Sequence, residues 1–206
     1  MTEKTMYNYL EEPLASYLEK TAQKLACPGG GSVVALTAAL SSALVSMTAN
    51  FTVGKKAYAA HEAEIRDLLA ANETLRRALE RMIEEDSEIY EKIRNAQTSE
   101  PARGPEYLKE SARLHMRIAA HMREVLRMNE VLCERGNKHL ISDVGISAVL
   151  AQAAFYGARL NAEINFKYLP DKAFAEAERE NLAEIEKDVK LLGDQIYRKV
   201  LAILTQ

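Results

Sequence analysis

Long runs of the chain repeat apolar residues at every third or fourth position, which is the period of one face of an α-helix. Such runs cover about residues 57–96, 106–135 and 182–203. A shorter helix is predicted to begin at Pro13, with three leucines on one face, Leu14, Leu18 and Leu25. No run alternates apolar and polar residues for long enough to predict a strand. The pattern therefore indicates four amphipathic helices.

Two further stretches carry no charge and are rich in small residues, from Val33 to Val53 and from Val144 to Ala158. The first is long enough to cross a bilayer, but polar residues recur along it: Thr37, Ser41, Ser42, Ser46, Thr48, Asn50 and Thr52. A helix of this composition is typical of the centre of a bundle, where small side chains let neighbours approach closely. We therefore expect an all-α bundle, one domain over residues 1–206, with two buried helices surrounded by four amphipathic ones and no membrane span.

The two uncharged helices contain more apolar surface than four outer helices readily cover. A homodimer that shares the buried helices would cover the remainder. The sequence thus predicts a second copy of the same chain as a partner.

Composition and charge narrow the function classes. The net charge of −3 gives no general attraction to nucleic acid, so an anionic ligand requires a local cluster of donors. Two widely separated cysteines and acidic residues near the N-terminus, where a signal peptide needs an apolar core, predict a cytoplasmic protein with free thiols. The four histidines lack ligand spacing, so neither a metal nor another cofactor is expected.

A glycine-rich loop, Pro28-Gly29-Gly30-Gly31-Ser32, precedes the first uncharged helix. Consecutive backbone N–H groups at a helix N-terminus can converge on an anion. The loop could equally be a tight turn that needs glycine for its backbone conformation. Ser32 is expected to cap the helix.

The second uncharged helix is preceded by Ser142 and Asp143 and contains Gly145. An acid at this position is commonly a helix cap. Because the helix is expected to be buried and Gly145 would leave space beside the carboxylate, Asp143 is also a candidate for proton transfer.

Three further polar residues interrupt apolar patterns. Asp86 occupies a seam position, where a carboxylate is costly unless it is paired. Its side chain could equally extend to solvent at a helix end or line a wet cavity. Asn161 and Asn165 lie one turn apart and could either form a hydrogen-bonded core pair or recognise the edge of a heterocycle.

These residues carry a resemblance to a known family. The segments PGGGSVVALTAALSSALVSMTAN, FTVGKKAY, ERGNKHLISDVGISAVL and LNAEINFK, with EEDSEIYEKI between them, resemble the cyclodeaminase part of formiminotransferase-cyclodeaminase and its stand-alone bacterial relatives, which include methenyltetrahydrofolate cyclohydrolases. The resemblance covers nearly the whole chain in the same order. Two departures are Cys27 in place of a commoner Thr and Ala57 in place of a third Lys.

The resemblance implies an all-helical homodimer that acts on a one-carbon unit carried by tetrahydrofolate, its substrate. Cyclodeamination closes 5-formiminotetrahydrofolate to 5,10-methenyltetrahydrofolate and releases ammonia, and it is slightly favoured here. Cyclohydrolysis opens the methenyl ring with water to give 10-formyltetrahydrofolate, and the motifs do not separate the two reactions. Asp143 and Asp86 are the catalytic candidates.

The substrate-binding candidates follow from the same matching segments. They are Gly29, Gly30, Gly31, Ser32, Asn50, Lys55, Lys56, Tyr58, Ser142, Asn161 and Asn165. The two lysines are expected to hold the glutamate tail or another anionic part of the folate. A non-catalytic helical scaffold is the alternative from another class, and a pocket where the glycine-rich loop meets Ser142–Gly145 would favour the enzyme.

Overall fold

The structure is a computed structural model that describes residues 7–206. Residues 1–6, which contribute to the expectation about the N-terminus, lie outside this part of the chain. Residues 7–206 form six α-helices and no strand, which confirms the all-α prediction. The helices are α1 (Leu14–Ala22), α2 (Gly30–Asn50), α3 (Glu62–Ala96), α4 (Gly104–Arg135), α5 (Ile141–Tyr168) and α6 (Lys172–Leu204).

The two uncharged helices, α2 and α5, pack against each other in antiparallel directions. Near their middle, the Ser41 hydroxyl donates to the carbonyl oxygen of Ser147 over 2.8 Å. Further along, Val34 packs onto Gly157, where a Cβ atom would leave no room for the valine side chain. The N-terminus of α2 therefore lies beside the C-terminal half of α5, and the C-terminus of α2 lies beside the N-terminal part of α5.

The outer helices enclose this pair incompletely. Helix α3 packs along α2, α6 packs along α5, and α4 contacts both central helices. The sides of α2 and α5 that face away from α4 remain open to solvent. Their exposed apolar residues, which we call the α2–α5 face, are Leu40, Ile146, Val149, Tyr156, Leu160 and Ile164. Within one protomer, α2 and α5 are therefore the central pair of the bundle, as predicted, but each keeps an uncovered apolar side.

Three local expectations differ from the structure. Ser32 does not cap α2, because Gly29 occupies the N-cap position and the Ser32 hydroxyl instead pairs with that of Tyr17 at 2.9 Å. Helix α3 begins at Glu62 and not near Ala57, since Lys56–His61 form a 3₁₀ turn.

Helix α1 also faces the opposite way from the leucine pattern. Leu14, Leu18 and Leu25 are exposed, whereas Tyr17 is buried. The aromatic ring packs edge-on against Tyr9, and this contact holds α1 on the bundle.

Within residues 7–206, two segments are long and apolar enough to cross a membrane, Gly30–Asn50 and Lys138–Tyr168. About half of each is buried inside the bundle, 56% and 44% of the apolar windows respectively. Core helices have this same composition, and the contacts of α2 and α5 with α3, α4 and α6 account for it here.

Candidate functional site

A cavity of about 300 Å³ lies at the N-terminus of α2. Its walls come from the glycine-rich loop, α3, α4 and the C-terminal half of α5. The polar lining residues are Cys27, Asp86, Tyr90, Ser111, His115, Asn161, Asn165 and Tyr168, together with Gly29, Gly30 and Gly31. The predicted residues Asp86, Asn161, Asn165 and the three glycines are thus brought together.

The glycine-rich loop allows its backbone to approach the carboxylate of Asp86 closely. A Cβ atom on Gly31 would overlap that carboxylate, so any other residue at this position would displace the Asp86 side chain. No side chain caps α2, and its first N–H groups remain available at the cavity. The positive end of the helix dipole therefore lies close to the cavity.

Asp86 forms a buried pair with a histidine that sequence reasoning missed. The distance from His115 Nε2 to Asp86 Oδ1 is 3.3 Å, and the side chains are 3% and 14% exposed respectively. His115 lies on the apolar face of α4, so its position in the sequence predicts an ordinary core residue. A useful signal was available, because a histidine in one helical seam and a carboxylate in another can satisfy each other.

The two asparagines are held differently. The Asn165 side-chain amide donates to Ser111 Oγ over 3.0 Å and to the carbonyl oxygen of Asn161 over 2.7 Å. They do not form a side-chain pair with each other. Both line the cavity, so the oxygen atoms of their amides are available to a ligand.

Cys27 lies on the cavity wall as a thiol. Burial is the main cause that raises its pKa. A protonated thiol is a poor nucleophile.

The remaining candidates cluster at the opposite end of the α2–α5 pair. Asn50, Lys55, Lys56 and Ser142 are exposed there, and Asp143 is half-buried. The positions of Asp143 and Asn161 on α5 are separated by about 27 Å at 1.5 Å per residue. In one protomer, the glycine-rich loop and Ser142–Gly145 therefore do not form a common pocket.

Tyr58 is tied to the α4–α5 connection at this same end. Its hydroxyl donates to Asn137 Oδ1 over 3.4 Å and accepts from the backbone N–H of Lys138 over 3.1 Å. These bonds fix the Lys56–His61 turn beside the start of α5.

The environment of Asp143 differs from the expectation. Helix α5 begins at Ile141 without a side-chain cap, so Asp143 lies in its first turn and neither it nor Ser142 is the cap. Gly145 is buried, and a Cβ atom there would lie 2.9 Å from Val200 Cγ1. The glycine allows the close packing of α6, and the apolar cavity of about 280 Å³ that it lines with Ser142 and Val200 does not include Asp143 among its lining residues.

Comparison with known proteins places this arrangement in a family. The model of the family described as formiminotransferase-cyclodeaminase matches residues 13–184. The chain belongs to this family. The cavity, with Asp86 at its centre, lies within the matched region.

Two relatives match this chain over nearly their whole length, and a third matches over about a third of its length. A methenyltetrahydrofolate cyclohydrolase of Methylorubrum extorquens is 33% identical over 199 residues, which is 92% of this chain and 96% of that protein. A formiminotetrahydrofolate cyclodeaminase of Thermotoga maritima has 30% identity and a TM-score of 0.91, over 96% of this chain and 100% of that one. The formimidoyltransferase-cyclodeaminase of Rattus norvegicus is 24% identical, and the match spans 35% of its length.

Proposed function

We propose that this chain is a cytoplasmic enzyme that acts on the carbon between N5 and N10 of a tetrahydrofolate derivative, and that its principal reaction is hydrolysis of 5,10-methenyltetrahydrofolate. The observation that carries the proposal is the buried Asp86–His115 pair in a cavity bounded by the glycine-rich loop. A helical scaffold has no use for such a pair. The similarity to the cyclohydrolase over nearly the full length of both proteins supports the choice of reaction.

The chemistry of the cavity suits this substrate. The methenyl group is an amidinium-like cation, and a carboxylate in a poorly hydrated site stabilises such a charge. Attack by water on the methenyl carbon forms a hydroxyl-bearing tetrahedral carbon and releases a proton, which the carboxylate of Asp86 on the cavity wall would accept. Cleavage of the C–N5 bond, with one proton delivered to N5 and the hydroxyl proton lost, then gives 10-formyltetrahydrofolate and one proton overall. The Asn161 and Asn165 amides would recognise the edge of the pterin ring.

Cyclodeamination is the second candidate, and the similarity to the Thermotoga maritima enzyme favours it. In that reaction N10 attacks the formimino carbon, and the departing amine needs a proton. The same carboxylate could receive the N10 proton and return it to the amine.

A homodimer forms part of the proposal. The residues of the α2–α5 face are apolar and uncharged, and Leu160 is 73% exposed. Contiguous exposed apolar surface of this kind marks an interaction site. Ile164 belongs both to this face and to the cavity lining, so a partner on the face would also cover the cavity mouth.

The dimer would also reconcile the two separated groups of candidate residues. A two-fold axis perpendicular to α2 and α5 reverses their direction. The Asp143 end of one protomer would then lie beside the cavity end of the other. Asp143, Lys55 and Lys56 would act on a folate bound next to Asp86 of the second protomer, with the lysines on its glutamate tail.

An absorbance assay that offers both substrates tests the reaction, because methenyltetrahydrofolate absorbs distinctively. Loss of the methenyl band on addition of enzyme is expected, with a smaller rate of band formation from 5-formiminotetrahydrofolate. If methenyltetrahydrofolate forms from 5-formiminotetrahydrofolate and is not hydrolysed, the enzyme is a cyclodeaminase and not a cyclohydrolase. No turnover of either substrate would contradict the proposed function.

A mixing experiment tests the shared site. We expect Asp86→Asn and Asp143→Asn each to lower kcat by roughly a hundredfold, the usual scale for a proton-transfer group. When the two folded variants are co-refolded, mixed dimers contain one intact site, so about a quarter of wild-type activity should return. No recovery, or a monomer of 23.0 kDa in light scattering, would contradict the shared site.

A further inference from the structure

His115 is an ionisable side chain enclosed among apolar residues. It is 2% exposed, and its neighbours in sequence, Leu114 and Met116, are also buried. A polar ring in such a place is costly unless it is bonded. Its Nε2 atom lies 3.3 Å from Asp86 Oδ1. Its Nδ1 atom is buried with no hydrogen-bond partner among the described residues.

The missing partner at Nδ1 selects one protonation state of the ring. An imidazolium would bury an unsatisfied N–H donor at Nδ1 in addition to its charge. A neutral ring with its proton on Nε2 instead places the donor toward Asp86 and leaves only a lone pair unpaired at Nδ1. Because an unsatisfied buried N–H donor costs more than a bare nitrogen lone pair, a ring that carries its proton on Nε2 alone fits the contacts of the site.

The surroundings of Asp86 explain what this bond does. The carboxylate lies under Gly31, whose missing side chain leaves just enough space for it. Among the described residues, the polar side chain in contact with this carboxylate is His115, with Nε2 3.3 Å from Oδ1. The orientation of the carboxylate in the cavity therefore depends on His115 and on the contact with Gly31.

We propose that His115 is a positioning residue that holds Asp86 as a charged acceptor toward the substrate carbon, through a neutral Nε2–H donor. The inference rests on the proposed function for its effect on turnover. A neutral ring keeps the pair at a net charge of −1, which complements a cationic methenyl or formimino group. An imidazolium would cancel that charge and weaken the stabilisation of the substrate cation.

Two substitutions at this position separate positioning from packing. His115→Leu fills similar volume and removes the donor, so kcat should fall at least about tenfold, the value of a hydrogen bond to a charged group, while KM changes little. His115→Gln can present an amide N–H near the position of Nε2 and should retain kcat within about threefold. His121→Leu, a histidine substitution on the same helix outside the cavity, is the matched control and should leave kcat unchanged.

Equal losses of kcat in the Leu and Gln variants would overturn the proposal, and so would normal turnover in His115→Leu. A rise in KM without a fall in kcat would also contradict it, because orientation of the proton acceptor acts on the chemical step.

A measurement on the unaltered protein applies even where a variant fails to fold. Nitrogen-15 NMR of the imidazole at pH 7 should show a neutral ring with the proton on Nε2. A doubly protonated ring, or a proton on Nδ1, would refute the assignment. Absence of turnover in the wild-type protein would count against the proposed function, whereas the NMR result tests the pair on its own.

Discussion

The two ends of the antiparallel α2–α5 pair hold their polar residues in different ways. At the N-terminus of α2, Asp86 and His115 are buried against each other and the loop backbone closes over them. At the other end, Lys55 and Lys56 are exposed. Lys55 has an aromatic neighbour, with its Nζ atom 5.8 Å from the centre of the Phe51 ring. The polar groups at the first end contact each other within the protomer, whereas the lysines at the second end have no acidic partner among the described residues.

This contrast indicates which step of catalysis each end can contribute to, the chemical step or the capture of the ligand. Enclosed groups in a low-dielectric site interact strongly with a substrate charge and suit the chemical step. Exposed lysines act at longer range and are screened by salt, so they suit capture of an anionic tail. The substitutions below should therefore affect kcat at the first end and KM at the second.

The largest effect in this series is expected for Gly31→Ala. The added methyl group would overlap the Asp86 carboxylate, which must swing away and lose its contact with His115. We expect kcat to fall by at least about tenfold, as for other misplaced proton-transfer groups. The stability change should be small, because alanine favours the helix by about 1 kcal/mol and offsets part of the steric cost.

Gly104→Ala is the matched control, since it also lies at a helix start and a Cβ atom there meets nothing within 4 Å. Denaturant unfolding and steady-state kinetics on both variants make the comparison. Normal turnover in Gly31→Ala would show that the close approach is a packing feature alone.

A moderate effect is expected for the double substitution of Lys55 and Lys56 by alanine. KM should rise several-fold at low ionic strength and less at high salt, because exposed charges are screened within about 10 Å at 0.1 M salt. Changing Lys187 and Lys190 on α6 to alanine alters the net charge equally and should leave KM unchanged. If the change in KM does not depend on salt, the lysines serve only the local structure of the turn and do not contact the ligand.

The smallest effect concerns the polar network between the two ends. Glu73 accepts hydrogen bonds from Arg76 and Ser46, and these lower the pKa of its carboxyl to about 2. A lowered pKa in the folded state means that the charge stabilises the fold above pH 4.5 and that this contribution disappears as the pH falls toward 2.

Glu73→Gln should therefore lower the free energy of unfolding at pH 7 by on the order of 1 kcal/mol, since the pair is partly screened by solvent. The difference from wild type should shrink as the pH falls toward 2. Thermal unfolding across this range measures it, with the exposed Glu184→Gln as control. A constant difference at all pH values would assign the effect to shape and not to charge.

Much of the fold could be predicted from the chain. The period of the apolar residues indicated the long helices, and the absence of charge marked α2 and α5 as the central pair. The sequence also identified Asp86, Asn161 and the three glycines as exceptions to these patterns, and the structure places them in one cavity. Such predictions succeed because helix formation and burial depend on residues a few positions apart.

The pairing of Asp86 with His115 and the distance of Asp143 from the cavity were decided by tertiary structure. His115 follows the apolar pattern of α4, so nothing nearby in sequence distinguishes it from the core. Gly145 was expected to leave open space beside Asp143, yet Val200 of α6, more than fifty positions away, packs against it, and the cavity beside Gly145 does not include Asp143 among its lining residues. The sequence by itself determined which residues form helices and which polar residues are out of place. Their partners depended on the antiparallel packing of α2 and α5, because contacts between distant segments are set by how helix surfaces fit together.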